Sequence, residues 1–495
     1  MINDSEILKE VKPKIENENE NAAYAYQTVT NQYITIFETM EDAYFKERAA
    51  DIKDIQYRVL STLLNVPLRD LSVINEPVII VAEDLTPSDT AMLNLEYVKG
   101  FATEVGGQTS HTAIMARALN IPAMVGVSGL TEKVQQNDQL ILDALDGIVT
   151  VNPSQTESTK AEKKRKNHLT YLERLSVYKD QKTQTEDGHH VGLYANIGSS
   201  KDLIGVKASG AEGVGLFRTE FLFMDTQSMP SLEIQIKHYE EVFNSIQPVI
   251  VRTLDIGGDK SLPYLKQDKE DNPFLGHRAI RLCFEHLDLF KTQLKALLIA
   301  AKDQKDVRVM IPMIARVDEV IRTKAILEAV KQELDEASTK YQKNIKLGIM
   351  IEIPSAALNI PTLAKHIDFI SIGSNDLIQY LYAADRMNPK VSYLYEPYDP
   401  TLLRLLNTII SEAKNASIET GLCGEIGSNK DIALLLIAME IDEISMSANS
   451  ILEVREALSK VKYETLQELL KNVLKKESAN QVKAALKAFN EEYSL

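Results

Sequence analysis

The first part of the chain shows the hydrophobic spacing of amphipathic helices. Between residues 5 and 65, apolar positions such as Ile34, Phe37 and Tyr44 recur three or four residues apart, with acidic residues and lysines between them. The segment Asn65-Val66-Pro67 interrupts this pattern, because proline does not continue a helix. We therefore predict helices from residue 5 to about residue 65.

From Pro77 onward the pattern changes to short apolar runs that are typical of strands. The run PVIIVAEDL (77–85) predicts a buried strand, and the runs IPAMVGV (121–127) and QLILDALDGIVTV (139–151) predict two or three more. A small β/α region over residues 66–153 follows from this pattern.

A charged stretch then separates two regions of strand pattern. Gln155 to Lys182 is rich in Lys, Glu and Arg, with Leu169, Leu172 and Leu175 among them, and this predicts a lone and mostly exposed helix. Such a helix is either a solvated surface helix or a rigid connector between domains. Its position between two folded regions favours a connector over residues 154–184.

Beyond Gly188, strand-like and helix-like segments alternate eight times, which is typical of a (β/α)8 barrel. The predicted strands are VGLYANI, GVGLFR, PVIVRTLDI, VRVMIPMI, IKLGIMIEI, DFISIG, ETGLCGE and DEISMSA. The predicted fold class is therefore α/β, with a C-terminal barrel over residues 185–495.

Composition narrows the classes of function. The chain has 495 residues, 44% of them apolar, and a formal net charge of −16, which argues against a general nucleic-acid or anionic-membrane partner. Two cysteines in this length fit a reducing compartment. The acidic amino terminus does not resemble a signal peptide, and the longest apolar runs, such as Ala433 to Met439, are too short to span a bilayer. We predict a cytoplasmic protein.

Polar residues follow the carboxyl ends of the predicted barrel strands, where barrel enzymes carry their chemistry. They are Arg218, Arg252 within the third strand, Glu352, Asn375, Asp376, Arg386 and Cys423. Arginines suit a phosphate or carboxylate anion, and a pair of carboxylates suits Mg²⁺. Taken singly, each residue has another interpretation. An arginine could form a surface ion pair, and the acids could neutralise the arginines. Cys423 could be a buried apolar side chain. Their concurrence on one rim favours an active site.

A second candidate lies outside the barrel. Ser110 to Leu119 predicts a helix, and His111 lies at its start, directly after the glycine turn Gly106-Gly107. A helix amino terminus stabilises negative charge, so a phosphate on this imidazole would be favoured there. By spacing alone, however, a lone histidine in this position is more often a cap or a surface residue.

These segments resemble Enzyme I of the bacterial phosphoenolpyruvate:sugar phosphotransferase system, the phosphoenolpyruvate-protein phosphotransferase family. GGQTSHTAIMARALNIPAMVG (106–126) is similar to that family's phosphohistidine segment. The barrel segments that agree are AEGVGLFRTEFLFM, VIVRTLDIGGDK, NPFLGHRAIR, GIMIEIPSA, DFISIGSNDLIQY, ADR, GLCGE and SMS. Their order covers nearly the whole chain from Tyr44 onward.

The resemblance implies a mechanism. His111 would attack phosphoenolpyruvate, become an Nε2-phosphohistidine and pass the phosphoryl group to the phosphocarrier protein HPr, while Cys423 would protonate the enolate to give pyruvate. Mg²⁺ would lie on Glu352 and Asp376. The residues that would hold the substrate are Arg218, Arg252, Asn375, Asp376 and Arg386.

The resemblance also implies a domain organisation. It comprises an HPr-binding helical domain, a swivelling phosphohistidine domain, a linker and a phosphoenolpyruvate-binding barrel that forms a homodimer. The family's opening strand and first long helix have no counterpart before Met1, so residues 1–65 are predicted to form a partial helical domain. A smaller departure is Ile426-Gly427-Ser428 after Cys-Gly-Glu, where the family more often has Met/Leu-Ala-Gly-Asp.

Other interpretations remain open at this level. A shortened homologue could bind phosphoenolpyruvate in a regulatory role without transfer to HPr. Pyruvate phosphate dikinase and phosphoenolpyruvate synthase share the chemistry, but they carry an ATP-binding domain and typically cysteine where this chain has Ser110. The nitrogen-related Enzyme I would need an additional amino-terminal sensory domain.

Overall fold

The protein is described from a computed structural model. The structure describes residues 5–39, 43–66, 71, 74–85, 89, 93–106, 116, 121–224, 226, 228–257, 262, 264–265, 270–386, 388 and 390–495. The chain divides into two compact units, Met1–Leu169 and Thr170–Leu495.

The first unit begins with three helices, which confirms the predicted helical segment. They are α1 (Ser5–Glu16), α2 (Ala22–Thr39) and α3 (Ala43–Leu64). Val11 of α1 packs with Ala25, Tyr26 and Val29 of α2 in a small apolar cluster, and part of α3 contributes Val59 and Leu60 to it. Burial of the apolar stripe of each helix holds these elements together.

The strands of this unit form two small sheets. β1 (Val78–Ala82), β2 (Val98–Thr103) and β3 (Ala123–Met124) are parallel, whereas β4 (Leu140–Asp143) and β5 (Ile148–Val151) form an antiparallel hairpin after the short helix α4 (Leu130–Lys133). The sequence pattern had not indicated β2. Its interior holds Gly100, which weakens the strand signal; a Cβ there would lie 2.7 Å from the carbonyl oxygen of Pro122, so close packing requires glycine.

The charged stretch is a helix, α5 (Gln155–Ser176), and it is mostly exposed, as predicted. Among its described side chains, Leu175 is buried. Lys164 pairs with Asp143 at 2.5 Å and Asp146 at 2.8 Å within the first unit. The predicted helix from Ser110 to Leu119 and its histidine, His111, lie outside the described residues except for Ala116.

The second unit is built on a closed barrel of eight parallel strands within the described residues, which confirms the predicted fold class. Neighbours in the chain are neighbours in the barrel, and the eight predicted strands are all present. They are β6 (Gly192–Ile197), β7 (Val214–Arg218), β8 (Val249–Arg252), β9 (Val307–Ile311), β10 (Lys346–Ile351), β11 (Phe369–Ile372), β12 (Glu419–Leu422) and β13 (Glu443–Met446).

Helices surround the barrel and pack their apolar faces against it. They are α6 (Leu203–Ser209), α7 (Glu220–Met224), α8 (Leu232–Phe243), α9 (Ile280–Glu285), α10 (Leu287–Ala300), α11 (Val317–Glu336), α12 (Pro354–Ala357), α13 (Ile360–Leu363), α14 (Ser374–Leu381), α15 (Pro400–Asn415), α16 (Lys430–Ala438), α17 (Ile451–Ser459), α18 (Tyr463–Val473) and α19 (Ala479–Tyr493). Short 3₁₀ turns lie at Ser200–Asp202, Pro273–Leu275, Ala364–His366, Ser392–Leu394, Glu425–Ser428 and Ala448–Ser450.

The core of this unit lies between the barrel wall and the helices, where the strands are buried on both faces. β9, for example, is buried at each of its five positions. Across the described part of the chain, no helix is both long enough and apolar enough to cross a bilayer.

Candidate active site

The barrel places the candidate residues at one rim. Arg218 and Arg252 are the last residues of β7 and β8, so Arg252 ends its strand and does not lie within it as the sequence pattern had suggested. The others follow strand ends directly or lie in the next segment: Glu352 after β10, Asn375 and Asp376 in the first turn of α14, Arg386 beyond α14, and Cys423 after β12. Because parallel strands of a closed barrel end on the same side, these residues share the carboxyl-terminal rim.

Arg252 is held between two carboxylates. Its Nη2 donates to Oε1 of Glu220 at 2.6 Å, and its Nη1 lies 3.0 Å from Oδ2 of Asp255. The Arg252 side chain is buried, and burial alone would lower its pKa, but Glu220, Asp255 and Glu352 raise that pKa above its ordinary value. The guanidinium therefore stays charged and fixed in orientation.

Asp255 also holds Arg278, which lies in the segment NPFLGHRAIR and was not among the predicted site residues. Nε and Nη2 of Arg278 donate to Asp255, and Nη2 lies 3.5 Å from Oδ2 of Asp376. Nη1 of Arg386 lies 3.6 Å from the other oxygen of Asp376. A continuous series of ion pairs thus crosses the rim from β8 to the segment after α14.

The backbone around Arg278 has an unusual shape that brings this side chain to the rim. Gly257 has a φ of 113°, and a Cβ there would lie 2.7 Å from Cα of Arg278, so only glycine permits the approach. Ala279 has a φ of 53°, a region that L-residues rarely adopt. Such strain is typical of functional sites. The presence of Gly257 in the motif was the sequence signal for this close approach.

Glu352 and Asp376 provide the acidic part of the rim. Glu352 is almost fully buried, and its Oε1 accepts a hydrogen bond of 2.5 Å from the backbone N–H of Met313. Burial first, and then the charges of Asp376 and Asp255, raise the pKa of Glu352 far above its usual range. Two buried acids with this mutual repulsion are stabilised by a cation.

The oxygen atoms of Asp376 also fit a cation. Oδ1 is buried and accepts no hydrogen bond within the part of the chain that the structure describes. Among those same residues, no group of three or more His, Cys, Asp or Glu side chains is placed to hold a metal ion. Carboxylate oxygens are ligands that Mg²⁺ prefers, so Glu352 and Asp376 are the residues of this rim that could hold such an ion.

Cys423 lies at the floor of the rim, buried beside the barrel interior. It packs with Met350, Phe369 and other apolar side chains, and its Sγ is 3.7 Å from the carbonyl oxygen of Ile372. Burial raises the pKa of the Cys423 thiol to about 12, although Ser371 lowers it. The thiol is consequently protonated at neutral pH and is a candidate proton donor.

Asn375 and Arg218 complete the set of candidate residues at the rim. Asn375 Oδ1 accepts hydrogen bonds from Tyr395 Oη at 3.2 Å and the backbone N–H of Glu425 at 3.1 Å, which orients its amide. Arg218 is half-buried, and burial, then the nearby Arg252 guanidinium, lower the pKa of Arg218 from its ordinary value. An anion between these two arginines would relieve their repulsion.

The chain matches three family models of phosphoenolpyruvate-utilising enzymes. The PEP-binding domain matches residues 173–463, the mobile domain matches residues 74–147, and the N-terminal domain matches residues 1–48. The barrel rim described above lies within the first of these matches.

The chain is also similar to curated proteins over nearly its whole length. The phosphoenolpyruvate-protein phosphotransferase of Staphylococcus aureus is 48% identical over 471 residues, which cover 95% of this chain and 82% of that protein. The protein of the same name from Priestia megaterium is 47% identical over 97% of this chain and 84% of its own length. The one from Geobacillus stearothermophilus is 47% identical over 98% and 84%.

Proposed function

The chain belongs to the phosphoenolpyruvate-protein phosphotransferase family, and on that premise we propose that His111 carries the phosphoryl group between phosphoenolpyruvate and the phosphocarrier protein HPr. In this transfer, the P–O bond between the phosphoryl group and the enolate breaks and a P–N bond to the imidazole forms. Transfer to HPr is the first step of sugar uptake by the phosphotransferase system. The observation that supports this most is the pair Arg252 and Arg278 held by Asp255 at the barrel rim.

We assign substrate binding to the charged donors of the rim. Phosphoenolpyruvate carries a phosphate and a carboxylate, and planar guanidinium groups bind both through paired N–H donors. The proposed substrate-binding residues are Arg218, Arg252, Asn375, Asp376 and Arg386, and the geometry adds Arg278. Positioning and charge stabilisation dominate phosphoryl transfer, so such a cluster suits the step.

Glu352 and Asp376 would hold Mg²⁺, which supplies charge neutralisation for the substrate oxygens when it is bound. Cys423 would donate its thiol proton to the methylene carbon of the enolate, so that pyruvate forms and a thiolate remains. Because burial raises the pKa of Cys423 to about 12, this thiolate recovers a proton readily.

The proposed organisation assigns a role to each part of the chain. Residues 1–65 are a helical domain for HPr, residues 66–153 the swivelling phosphohistidine domain, 154–184 the linker and 185–495 the phosphoenolpyruvate-binding barrel. The exposed helix α5 supports the linker assignment. A largely solvated helix fixes the distance between the segments at its two ends without packing tightly against them. We further propose a cytoplasmic homodimer that associates through the barrel, as the resemblance implies.

The proposal is tested by incubating the protein with phosphorus-labelled phosphoenolpyruvate and Mg²⁺, with and without HPr. The variant His111→Ala removes the proposed acceptor, and His168→Ala, in the same half of the chain, is the matched control. We expect acid-labile label on the wild-type protein and on His168→Ala, none on His111→Ala, and movement of label to HPr.

The outcomes separate the competing functions. Label that remains on His111 in the presence of HPr would contradict transfer and support a phosphorylated protein with another role. Absence of label in the wild type, together with a phosphoenolpyruvate-dependent rise in unfolding temperature, would contradict catalysis and support regulatory binding. Omission of Mg²⁺, or the variants Glu352→Gln and Asp376→Asn, should abolish labelling if these carboxylates hold the metal.

A further inference from the structure

A buried amide lies directly behind the rim, outside the set of proposed site residues. Gln293 belongs to α10, and its side chain is fully buried. Its Oε1 accepts a hydrogen bond of 3.0 Å from the backbone N–H of Leu254. Its Nε2 donates to Oγ1 of Thr219 at 3.0 Å and lies 3.3 Å from Oη of Tyr239.

These bonds join the two segments that carry the first arginines of the rim. Thr219 follows Arg218 directly, and Leu254 lies between Arg252 and Asp255. The hydroxyl of Thr219 in turn donates to the backbone carbonyl of Arg252 at 2.9 Å. The amide, the hydroxyl and the carbonyl thus connect the end of β7 to the end of β8 beyond the last ladder contact of those strands.

The ladder between β7 and β8 ends at the two arginines. The register between β7 and β8 shifts between Val214 and Phe217, and Arg218 pairs with Arg252 at the end. Two like-charged residues are therefore opposite each other where the ladder between β7 and β8 stops. The hydrogen bonds of Thr219 and Gln293 join the two backbones just beyond this pair.

Burial of an amide is costly unless its donors and acceptor are satisfied, and Gln293 satisfies both ends. A leucine or methionine would fill the same space at lower cost if packing were the whole requirement. The use of a glutamine here points to a need for fixed relative positions of the two strand ends.

We propose that Gln293 is a positioning residue that, through Thr219 and Leu254, sets the spacing between Arg218 and Arg252 for an anionic substrate. The inference rests on the proposed function, because it takes phosphoenolpyruvate as the anion between these arginines. Gln293 acts through its neighbours and does not touch the substrate.

The test compares Gln293→Met with Gln235→Met in the full-length protein. Gln235, on α8, is equally buried, and its amide donates to the carbonyl of Pro230 at 2.9 Å and not to Thr219 or Leu254. The measurements are the KM and kcat for phosphoenolpyruvate in HPr phosphorylation, the rise in unfolding temperature on adding phosphoenolpyruvate, and the unfolding temperature without it.

We expect both variants to lower the unfolding temperature, because each loses a buried hydrogen bond. Gln293→Met should in addition raise the KM for phosphoenolpyruvate by roughly tenfold or more and reduce the ligand-induced rise in unfolding temperature, because small displacements of binding groups are costly. Gln235→Met should leave both quantities at the wild-type value.

A second pair of variants tests the route through Thr219. Thr219→Val removes the hydroxyl with little change in shape and should raise KM as Gln293→Met does, whereas Thr219→Ser keeps the hydroxyl and should restore wild-type KM. In the double variant Gln293→Met/Thr219→Val the effects on KM should be less than multiplicative, because both act on one connection.

The results distinguish this inference from the proposed function. A wild type that neither binds phosphoenolpyruvate nor phosphorylates HPr would contradict the proposed function. A working wild type in which Gln293→Met lowers stability but leaves KM and the ligand-induced temperature rise unchanged would overturn the positioning role alone. Multiplicative effects in the double variant would overturn the route through Thr219.

Discussion

Arg278 binds Asp255 through three hydrogen bonds. Its Nε and Nη2 donate to Oδ1 at 3.2 and 3.0 Å, and Nη2 also donates to Oδ2 at 3.0 Å. The same carboxylate lies 3.0 Å from Nη1 of Arg252. Asp255 is 2% exposed, so little water competes for these bonds. One buried acid therefore orients two of the arginines that we assign to substrate binding.

Substitution Asp255→Asn should impair phosphoenolpyruvate use strongly. The amide keeps the size of the side chain but cannot neutralise the positive charges of the two guanidinium groups. The orientations of these groups are then no longer fixed. We expect kcat/KM for phosphoenolpyruvate to fall roughly 100-fold, measured by steady-state HPr phosphorylation.

The matched control for that substitution lies at the opposite end of the barrel. Asp306 makes a similar pair with Arg308, at 2.7 Å to Nε and 2.8 Å to Nη2, at a more exposed position. Asp306→Asn should lower stability and leave kcat/KM unchanged. Equal losses of kcat/KM in the two variants would mean that Asp255 acts on folding and not on the site.

We expect Glu443 to make the stability of the barrel depend on pH. It is 2% exposed, and both of its carboxylate oxygens lack hydrogen-bond partners among the residues that the structure describes. Burial first, and then Glu419, raise the pKa of Glu443 to about 8, although Arg308 opposes this; Asp442 raises it as well. Glycine at position 421 leaves room for the carboxyl group, because a Cβ there would overlap with it.

The folded protein therefore binds the Glu443 proton more tightly than the unfolded chain does. Its contribution to stability is full below the ordinary pKa of 4.5 and is lost as the pH rises toward about 8. The loss is at most about 1.4 kcal/mol per pH unit. The variant Glu443→Gln stays neutral, so its unfolding temperature should exceed that of the wild type increasingly from pH 5 to pH 8.

A glutamate with the opposite shift provides the control. Hydrogen bonds from Lys291 and Lys295 lower the pKa of Glu333, so its contribution is present at neutral pH and is lost as the pH falls. Glu333→Gln should reduce stability slightly at pH 7, with the difference closing toward acid pH. A wild type and a Glu443→Gln variant with parallel pH profiles would show that Glu443 ionises normally in the fold.

Cys423 should resist alkylation in the folded protein. Only the thiolate reacts, and with a pKa of about 12 its fraction at pH 8 is on the order of 1 in 10,000. The side chain is also only 3% exposed. Mass spectrometry after iodoacetamide treatment at pH 8 should show no modification at Cys423 without denaturant, and complete modification with it. Rapid labelling of the native protein would indicate an ionised thiol and contradict the proposed proton donor.

Arg455 should be essential for holding the end of the α5 segment on the barrel unit. It is 1% exposed, and its guanidinium donates to the carbonyls of Tyr178, Lys179 and Gly210 and to the hydroxyl of Thr183. Arg455→Met removes all four bonds of a buried guanidinium, and the loss of a hydrogen bond to a charged group costs roughly 1.5–3 kcal/mol. We expect a marked fall in unfolding temperature and new proteolytic cleavage near residues 178–182.

An exposed arginine with the same kind of bonds is the control. Arg404 donates to the carbonyls of Leu474 at 3.1 Å and Lys476 at 2.7 Å, but at an exposed position where water replaces it. Arg404→Met should change the unfolding temperature little and leave proteolysis unaltered. Similar stability of the two variants would show that burial of Arg455 adds nothing to its bonds.

Local patterns in the sequence were sufficient to predict the architecture of the barrel and most of the residues of its rim. Each strand is a short apolar run and its carboxyl end is marked in the sequence, so Arg218, Glu352 and Cys423 could be placed on one rim as soon as the barrel was predicted. The strand β2 was not predicted, because its central Gly100 serves a close contact with Pro122, which lies in another part of the chain.

Pairing across the rim needed the folded chain. Asp255 and Arg278 are 23 residues apart, Arg278 and Asp376 are 98 apart, and Thr219 and Gln293 are 74 apart. Hydrophobic periodicity reports which face of a local element is buried, but carries no information on which distant polar groups meet. Closure of the barrel selects those partners, because buried charges and amides must find complementary groups within hydrogen-bond distance once water has been excluded.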